Sequence, residues 1–248
     1  VQQLHEPKAS IRAGGTDLQE RRRNGLDWRP VVDLRDVQNL NKIETDSTGS
    51  LLIGSMLRIH QLAANPVIKK NYVGLAQAAN GLATPAIRRI ATVAGNLLQH
   101  VRCPYYRNGH FHCFQAGGND CPSRSGDHLY QVAIDLGPCV APHPSTLALG
   151  FLAWNASILI NDGTAMAIEE LYGDGSNPSQ AHRLPVGKIL THVQLPAVTS
   201  PEKSSWLRVS SRQLSEWPLV EVVVRLQMDG LFIRRAAIAM GGVANVPL

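Results

Sequence analysis

Four cysteines, Cys103, Cys113, Cys121 and Cys139, fall in one stretch of a 248-residue chain, separated by 9, 7 and 17 residues. Thiolates are soft ligands, and four of them suit a zinc ion or an iron–sulfur cluster. The spacing matches neither a Cys-x-x-Cys zinc knuckle nor a compact ferredoxin run, so the metal stays open on spacing alone. Two disulfides and buried free thiols are the other readings. His110, His112, His128 and His143 share the stretch. The first three read as solvent-exposed loop residues, because four thiolates already complete a ligand set. His143, stiffly placed between Pro142 and Pro144, reads as a neighbour of the ligands or of a cofactor rather than a ligand.

Two glycine-containing segments are the next candidates. RAGGTDL, residues 12–18, sets Gly14 and Gly15 between a strand and a helix start. Such a turn exposes backbone N–H groups and lets a phosphate approach without a Cβ in the way, while the helix N-terminus favours negative charge. An ordinary strand-to-helix turn is the alternative. ATVAGNL, residues 91–97, offers in Asn96 both a donor and an acceptor, as a flavin or nucleotide edge needs; taken alone it reads as a strand turn. Gly173-x-Gly175 lacks a third glycine, so the Rossmann fingerprint is absent. There is no Ser-His-Asp set, and Glu169-Glu170 and Asp33/Asp36 read as solvated faces rather than an acid/base pair.

The elements that must position these residues alternate between strand-like and helix-like runs. Strands are expected at Ser10 to Ala13, Val31 to Leu34 and Leu51 to Gly54. Helices are expected from a Thr16 cap to Arg23, from Arg58 to Ala64 before Pro66, from Tyr72 to Asn80 before Gly81, and from Pro85 to Ile90. Residues 102–144 carry no hydrophobic period and read as a long irregular loop that something functional must organise. A buried helix (Thr146 to Trp154) and two strands (Ala156 to Ile160, Thr164 to Ile168) follow. LPAVTSPEKSS, residues 195–205, reads as a linker, and Asp229-Gly230 as a tight turn joining strands Leu219 to Gln227 and Leu231 to Met240. Two strands are marginal alone, so this part is expected to be truncated, or completed by a partner or by the first domain.

Hydrophobic residues at 44% and charged residues at 17% argue for a globular chain and against disorder. A net charge of +5, an isolated Arg21-Arg22-Arg23 and 5% aromatics give no nucleic-acid surface. The longest apolar stretch, Leu147 to Ile160, is interrupted and too short to span a bilayer, and no signal peptide is evident.

In order along the chain, AGGTDL, IRRIATVAGNLLQ, RCPYYR and CVAPHPSTLALGFLAW, with RLPVGKILTHVQLP and IRRAAIAMGGVANVPL, resemble the FAD-binding subunit of the molybdenum hydroxylases, which include the xanthine dehydrogenase and aldehyde oxidoreductase groups. The four-cysteine pattern resembles the aldehyde oxidoreductase branch whose flavin subunit also carries a 4Fe-4S cluster. The resemblance implies an α+β FAD-binding domain of two subdomains over residues 1–197, like that of p-cresol methylhydroxylase and vanillyl-alcohol oxidase, and a small α/β domain over 204–248. It implies that Ala13, Gly14, Gly15, Thr16 and Asp17 hold the FAD pyrophosphate and that Thr92, Gly95 and Asn96 form a second flavin loop. His143, Pro144 and Ser145 would match a flavin-proximal HPSD segment, and Cys103, Cys113, Cys121 and Cys139 would hold the cluster. Partners implied are a molybdopterin-binding large subunit, a 2Fe-2S small subunit and an external electron acceptor; no catalytic side chain is required of this chain. The compartment, cytoplasmic or periplasmic, is left open, since a folded complex can be exported on a partner's signal. Ala94 and Thr146 depart from the family's Gly-Gly-Asn and HPSD patterns, and Pro142 stands where the family commonly has Thr. Those departures motivate a rival, a metal-stabilised scaffolding subunit that has lost flavin. A flavin reductase of the cell-wall precursor type ranks behind both, because no proton donor or nicotinamide site is visible.

Overall fold

A computed structural model of the chain describes residues 9–211 and 215–248; the first eight residues of the expected 1–197 domain, and 212–214 of the second, lie outside the described residues. β1 (Ser10–Arg12) and β2 (Val31–Asp33) pair in parallel, with α1 (Leu18–Arg23) between them in sequence. Of the arginine run only Arg21 is buried; Arg23 is exposed. Arg21 is buried, with Nη2 3.2 Å from the Asp27 carboxylate, which also accepts the Ser10 hydroxyl at 2.6 Å.

β3 (Ile43–Thr45) and β4 (Leu51–Gly54) form an antiparallel pair. Short helices follow: α2 (Ile59–Ala64), α3 (Pro66–Asn71), α4 (Val73–Gly81), α5 (Pro85–Arg88) and α6 (Val93–Leu97). Pro66 does more than end α2. It is the first residue of α3, where its missing N–H has no helical partner to lose, and Asn65 caps the new helix by accepting the Val67 and Ile68 N–H groups. The second glycine segment is helical rather than a strand turn, because the Thr92 hydroxyl accepts the Gly95 N–H at 3.2 Å and caps α6.

Residues 102–144 are irregular as expected, holding α7 (Pro104–Arg107) and two single 3-10 turns, Phe114–Ala116 and Pro122–Arg124. Then come α8 (Thr146–Ala153), β5 (Ser157–Ile160), β6 (Ala165–Ala167), α9 (Ile168–Tyr172) and β7 (Leu190–Leu195). β3, β4, β7, β5 and β6 lie side by side in that order as an antiparallel sheet.

The expected linker is shorter than its polar composition implies. β7 ends at Leu195 and β8 (Glu202–Ser210) begins at Glu202, so Glu202 to Ser205 belong to a strand. β9 (Pro218–Asp229) and β10 (Phe232–Gly241) form the expected hairpin, and β8 supplies a third strand on the far side of β9. One face of this sheet packs on α4 and α8. A Cβ at Gly81 would lie 2.3 Å from the Trp206 ring, and Val223 and Ala239 share one core with Ile53, Phe151 and Trp154. The hairpin is therefore completed by its own third strand and by helices of the first part of the chain. The architecture is mixed α and β. Among the described residues no helix is long and apolar enough to cross a membrane.

Candidate functional site

The two glycine segments, about eighty residues apart, meet. Gly14 lies against the start of the second segment, where an added Cβ would sit 2.4 Å from the Ile90 carbonyl oxygen. Gly15 has φ +76°, a left-handed conformation that L side chains rarely adopt. Between the segments is a cavity of about 380 Å³ lined by Ala13, Gly14, Gly15, Thr16, Asp17, Thr92 and Gly95. Its size is within the range of small-molecule sites, roughly 300 to 1,000 Å³. Arg21, Arg29 and Lys188 also line it, each paired with a carboxylate: Arg21 and Arg29 with Asp27, Lys188 with Asp162. Sequence reasoning missed its opposite wall, His182 and the run 184–190 leading into β7. That run carries no periodicity and no chemical signature; its place in RLPVGKILTHVQLP was the only available signal.

Asp17 lines this cavity, yet its carboxylate faces guanidinium groups: Arg107 at 2.7 Å, Arg102 at 3.0 Å and Arg21 at 3.4 Å. It occupies the cap position of α1 without making a cap hydrogen bond, which leaves both oxygens for these partners. Burial alone would raise its pKa, but Arg107 and Arg102 outweigh burial and hold it below the usual carboxylate range.

Asn96, His143, Pro144 and Ser145 do not line that cavity. The Asn96 side-chain oxygen accepts the Ser145 hydroxyl at 2.8 Å and the Leu147 N–H at 3.2 Å, tying α6 to the start of α8. Ser145 in turn caps α8 by accepting the Ala148 N–H. The His143 ring packs edge-on to Tyr172 with centroids 4.4 Å apart, and its Nδ1 accepts the Ser145 N–H. The departures from the family pattern fit their surroundings. Ala94 is helical within α6, and the Thr146 hydroxyl donates at 2.9 Å to the buried Glu221 carboxylate, where an aspartate would set a second anion against it.

Burial pushes the His143 and His100 imidazoles down to about 3 from 6.5. An unfolded chain binds these protons from pH 6.5 downward while the folded one does not, so stability is complete above that pH and falls as pH drops toward 3. The expected loss is roughly 1.4 kcal/mol per histidine per pH unit. Thermal melts from pH 7 to 5 check this: the midpoint falls on acidification, and His143→Asn makes the fall shallower.

The four cysteines are free and converge. All four line one small cavity with Val101, Tyr105, Tyr106 and Phe114, and three of them are buried. None of the four is in a disulfide in this structure. Burial raises the Cys103 thiol and pushes Cys139 up to about 11, with the other three sulfurs contributing to the Cys139 shift. Such thiols ionise together only around a compensating cation, as a coordinated metal provides. The Cys103 sulfur accepts hydrogen bonds from the Tyr105 and Tyr106 N–H groups at the start of α7, and the Gln131 amide lies 3.7 Å away. Among the described residues no three His, Cys, Asp or Glu side chains are arranged to hold a single metal ion. His110, His112 and His128 are exposed, as expected.

Residues 1–198 match the model of the family described as the FAD binding domain in molybdopterin dehydrogenase, and the chain belongs to that family. It is 30% identical to the aldehyde oxidoreductase FAD-binding subunit PaoB of Escherichia coli K12, over 97% of this chain and 76% of that protein. The fold is similar to a chain of carbon monoxide dehydrogenase from Hydrogenophaga pseudoflava, with a TM-score of 0.73 at 16% identity over 100% of this chain and 71% of that one. It is also similar to quinoline 2-oxidoreductase from Pseudomonas putida 86, with a TM-score of 0.72 at 20% identity, covering 99% of this chain and 71% of the other.

Proposed function

We propose that this chain is the FAD-binding electron-transfer subunit of a molybdenum-containing hydroxylase complex of the aldehyde oxidoreductase kind. It takes electrons from a 2Fe-2S small subunit served by a molybdopterin-binding large subunit, and delivers them to an external acceptor. The carrying observation is the packing of Gly14 and Gly15 against the 90–95 segment around one cavity, in a chain whose thiols converge on another. Likeness to the FAD-binding subunit PaoB supports the assignment.

In this reading the backbone of Ala13, Gly14, Gly15 and Thr16 holds the pyrophosphate, and Asp17 braces the turn from its arginine side. Thr92 and Gly95 form the second flavin loop, which Asn96, His143, Pro144 and Ser145 fix in place. Cys103, Cys113, Cys121 and Cys139 hold a 4Fe-4S cluster; soft donors, mutual repulsion when ionised and N–H donors at Cys103 all suit it. FAD, when bound, supplies the capacity to take up and release electrons singly or in pairs. The protein's part is to hold the two groups at fixed separation, exclude water and set the surrounding charge. Residues 1–197 form a flavin domain of the p-cresol methylhydroxylase type, and 204–248 open the following domain.

Flavin, iron and sulfide analysis of anaerobically purified protein tests the proposal, with absorbance and electron paramagnetic resonance spectra before and after reduction. The expected result is FAD and about four iron atoms per chain. Zinc without iron in a colourless protein that takes up no FAD would overturn it in favour of a scaffolding role.

A further inference from the structure

The glycine cavity and the cysteine cavity are joined by a charged clamp. Arg102 immediately precedes Cys103, and Arg107 closes α7, the helix that Cys103 opens; the Arg107 N–H donates to the Cys103 carbonyl at 3.0 Å. Both guanidinium groups reach across to Asp17 in the glycine turn, at 3.0 and 2.7 Å, and both also pair with Glu20 one turn further along α1. A second bridge runs beside the first. His100 lines the glycine cavity, Tyr106 lines the cysteine cavity, and their rings stack with centroids 5.9 Å apart and 9° between planes. The His100 N–H donates to Asp17 at 3.3 Å.

We propose that Asp17 is a positioning residue that couples the two sites, so that occupancy of the cysteine cavity raises the affinity of the glycine cavity for FAD. The inference rests on the flavin and cluster assignment above. The sign follows from charge. Asp17 lines the cavity that would take an anionic pyrophosphate, and its own charge opposes that ligand unless Arg102 and Arg107 neutralise it. Arg107 is the last residue of α7 and Arg102 adjoins its cap residue Cys103, and α7 rests on a small cluster built of Val101, Tyr106, Ala141 and three of the thiols themselves. Filling the cysteine cavity fixes α7 and keeps the carboxylate masked. Emptying it releases α7, and with it the arginines, exposing the carboxylate to the pyrophosphate. Coupling of this kind is reciprocal, so bound FAD also retains the cluster.

The test measures the FAD dissociation constant of purified protein by flavin fluorescence, before and after iron removal with a chelator under reductant, in wild type and in Asp17→Asn. Iron and flavin contents are determined on the same samples. The wild type is expected to bind FAD about tenfold more weakly after iron removal, and to release iron to chelator more slowly with FAD bound. In Asp17→Asn, which removes the charge and keeps the shape, the two FAD constants converge. An unchanged wild-type constant after iron removal overturns the coupling alone, since iron and FAD were both present. A tenfold ratio that persists in Asp17→Asn overturns the role of Asp17. Absence of iron or flavin from the starting protein overturns the underlying assignment and the coupling together. The wild-type comparison requires no variant to fold.

Discussion

Gly14→Ala is expected to weaken FAD binding by one to two orders of magnitude while leaving the chain folded. The added methyl would lie 2.4 Å from the Ile90 carbonyl oxygen and 3.0 Å from the Ala91 and Ile90 backbone carbons. These are main-chain atoms. Ile90 closes the turn after α5, its N–H bonded to the Ile87 carbonyl, and the Ala91 carbonyl accepts the Ile59 N–H, so neither residue can swing aside as a side-chain tip would. Overpacking of this kind costs about 1 to 3 kcal/mol, or roughly ten- to a hundredfold in a dissociation constant when the displaced segment forms the site. A flavin titration of the variant, with circular dichroism to check its fold, decides the matter; wild-type affinity would show that the turn does not touch the cofactor. Gly15→Ala adds strain of a different origin, since φ is +76° there.

Cys121→Ser is expected to abolish iron retention and open residues 102–144 to proteolysis at least tenfold faster than in wild type. Arg102 and Arg107 tie the first turn of this stretch to α1, and main-chain bonds from Ile134 and His143 tie its far end to residues 243–244, which leaves the part around Cys113 and Cys121 with the fewest other anchors. The apolar cluster of the stretch is small, and outside α7 and two 3-10 turns it forms no regular element. The ion pair between Arg124 and Asp135, 2.8 Å apart and exposed, contributes about 1 kcal/mol or less. Metal ligation would then be the principal source of order around Cys113 and Cys121, as in small metal-stapled modules, and removing one of four ligands releases it. Iron content and limited proteolysis read the two halves of this expectation separately. Unchanged iron and an equally resistant loop would exclude Cys121 as a ligand.

Much of the arrangement was legible in the sequence where local chemistry and tertiary packing agree. Leu51 to Gly54 is an apolar run with strand propensity, and it forms β4 with the expected limits. The irregularity of 102–144 followed from its Gly, Pro and Cys content. Misreadings came where a residue's partner is distant in sequence. Thr16 looks like a helix cap, but the cap position falls to Asp17, whose carboxylate is claimed by arginines some ninety residues away. Glu202 to Ser205 looks like linker because it is polar. Alternating burial along β8 shows a strand whose polar inner residues find partners, with Ser204 accepting the Gly74 N–H and Glu202 accepting the Trp154 indole N–H. The helix-joining role of the Asn96 side-chain oxygen has its partners some fifty residues away, so its place in ATVAGNL does not announce it.

The seam between the three-stranded sheet and the helices beneath it has a consequence for how the molecule comes apart. Gly74 donates to the Ser204 hydroxyl, Gln77 accepts the Trp206 N–H, and Arg225 donates to the Ala153 carbonyl, all across that seam and beside the apolar contact of Trp206 with Gly81. Neither half has a finished surface of its own there. Severing the chain between residues 196 and 201 would leave the pieces clasped rather than freed, and heating would melt strands and helices together in one cooperative transition.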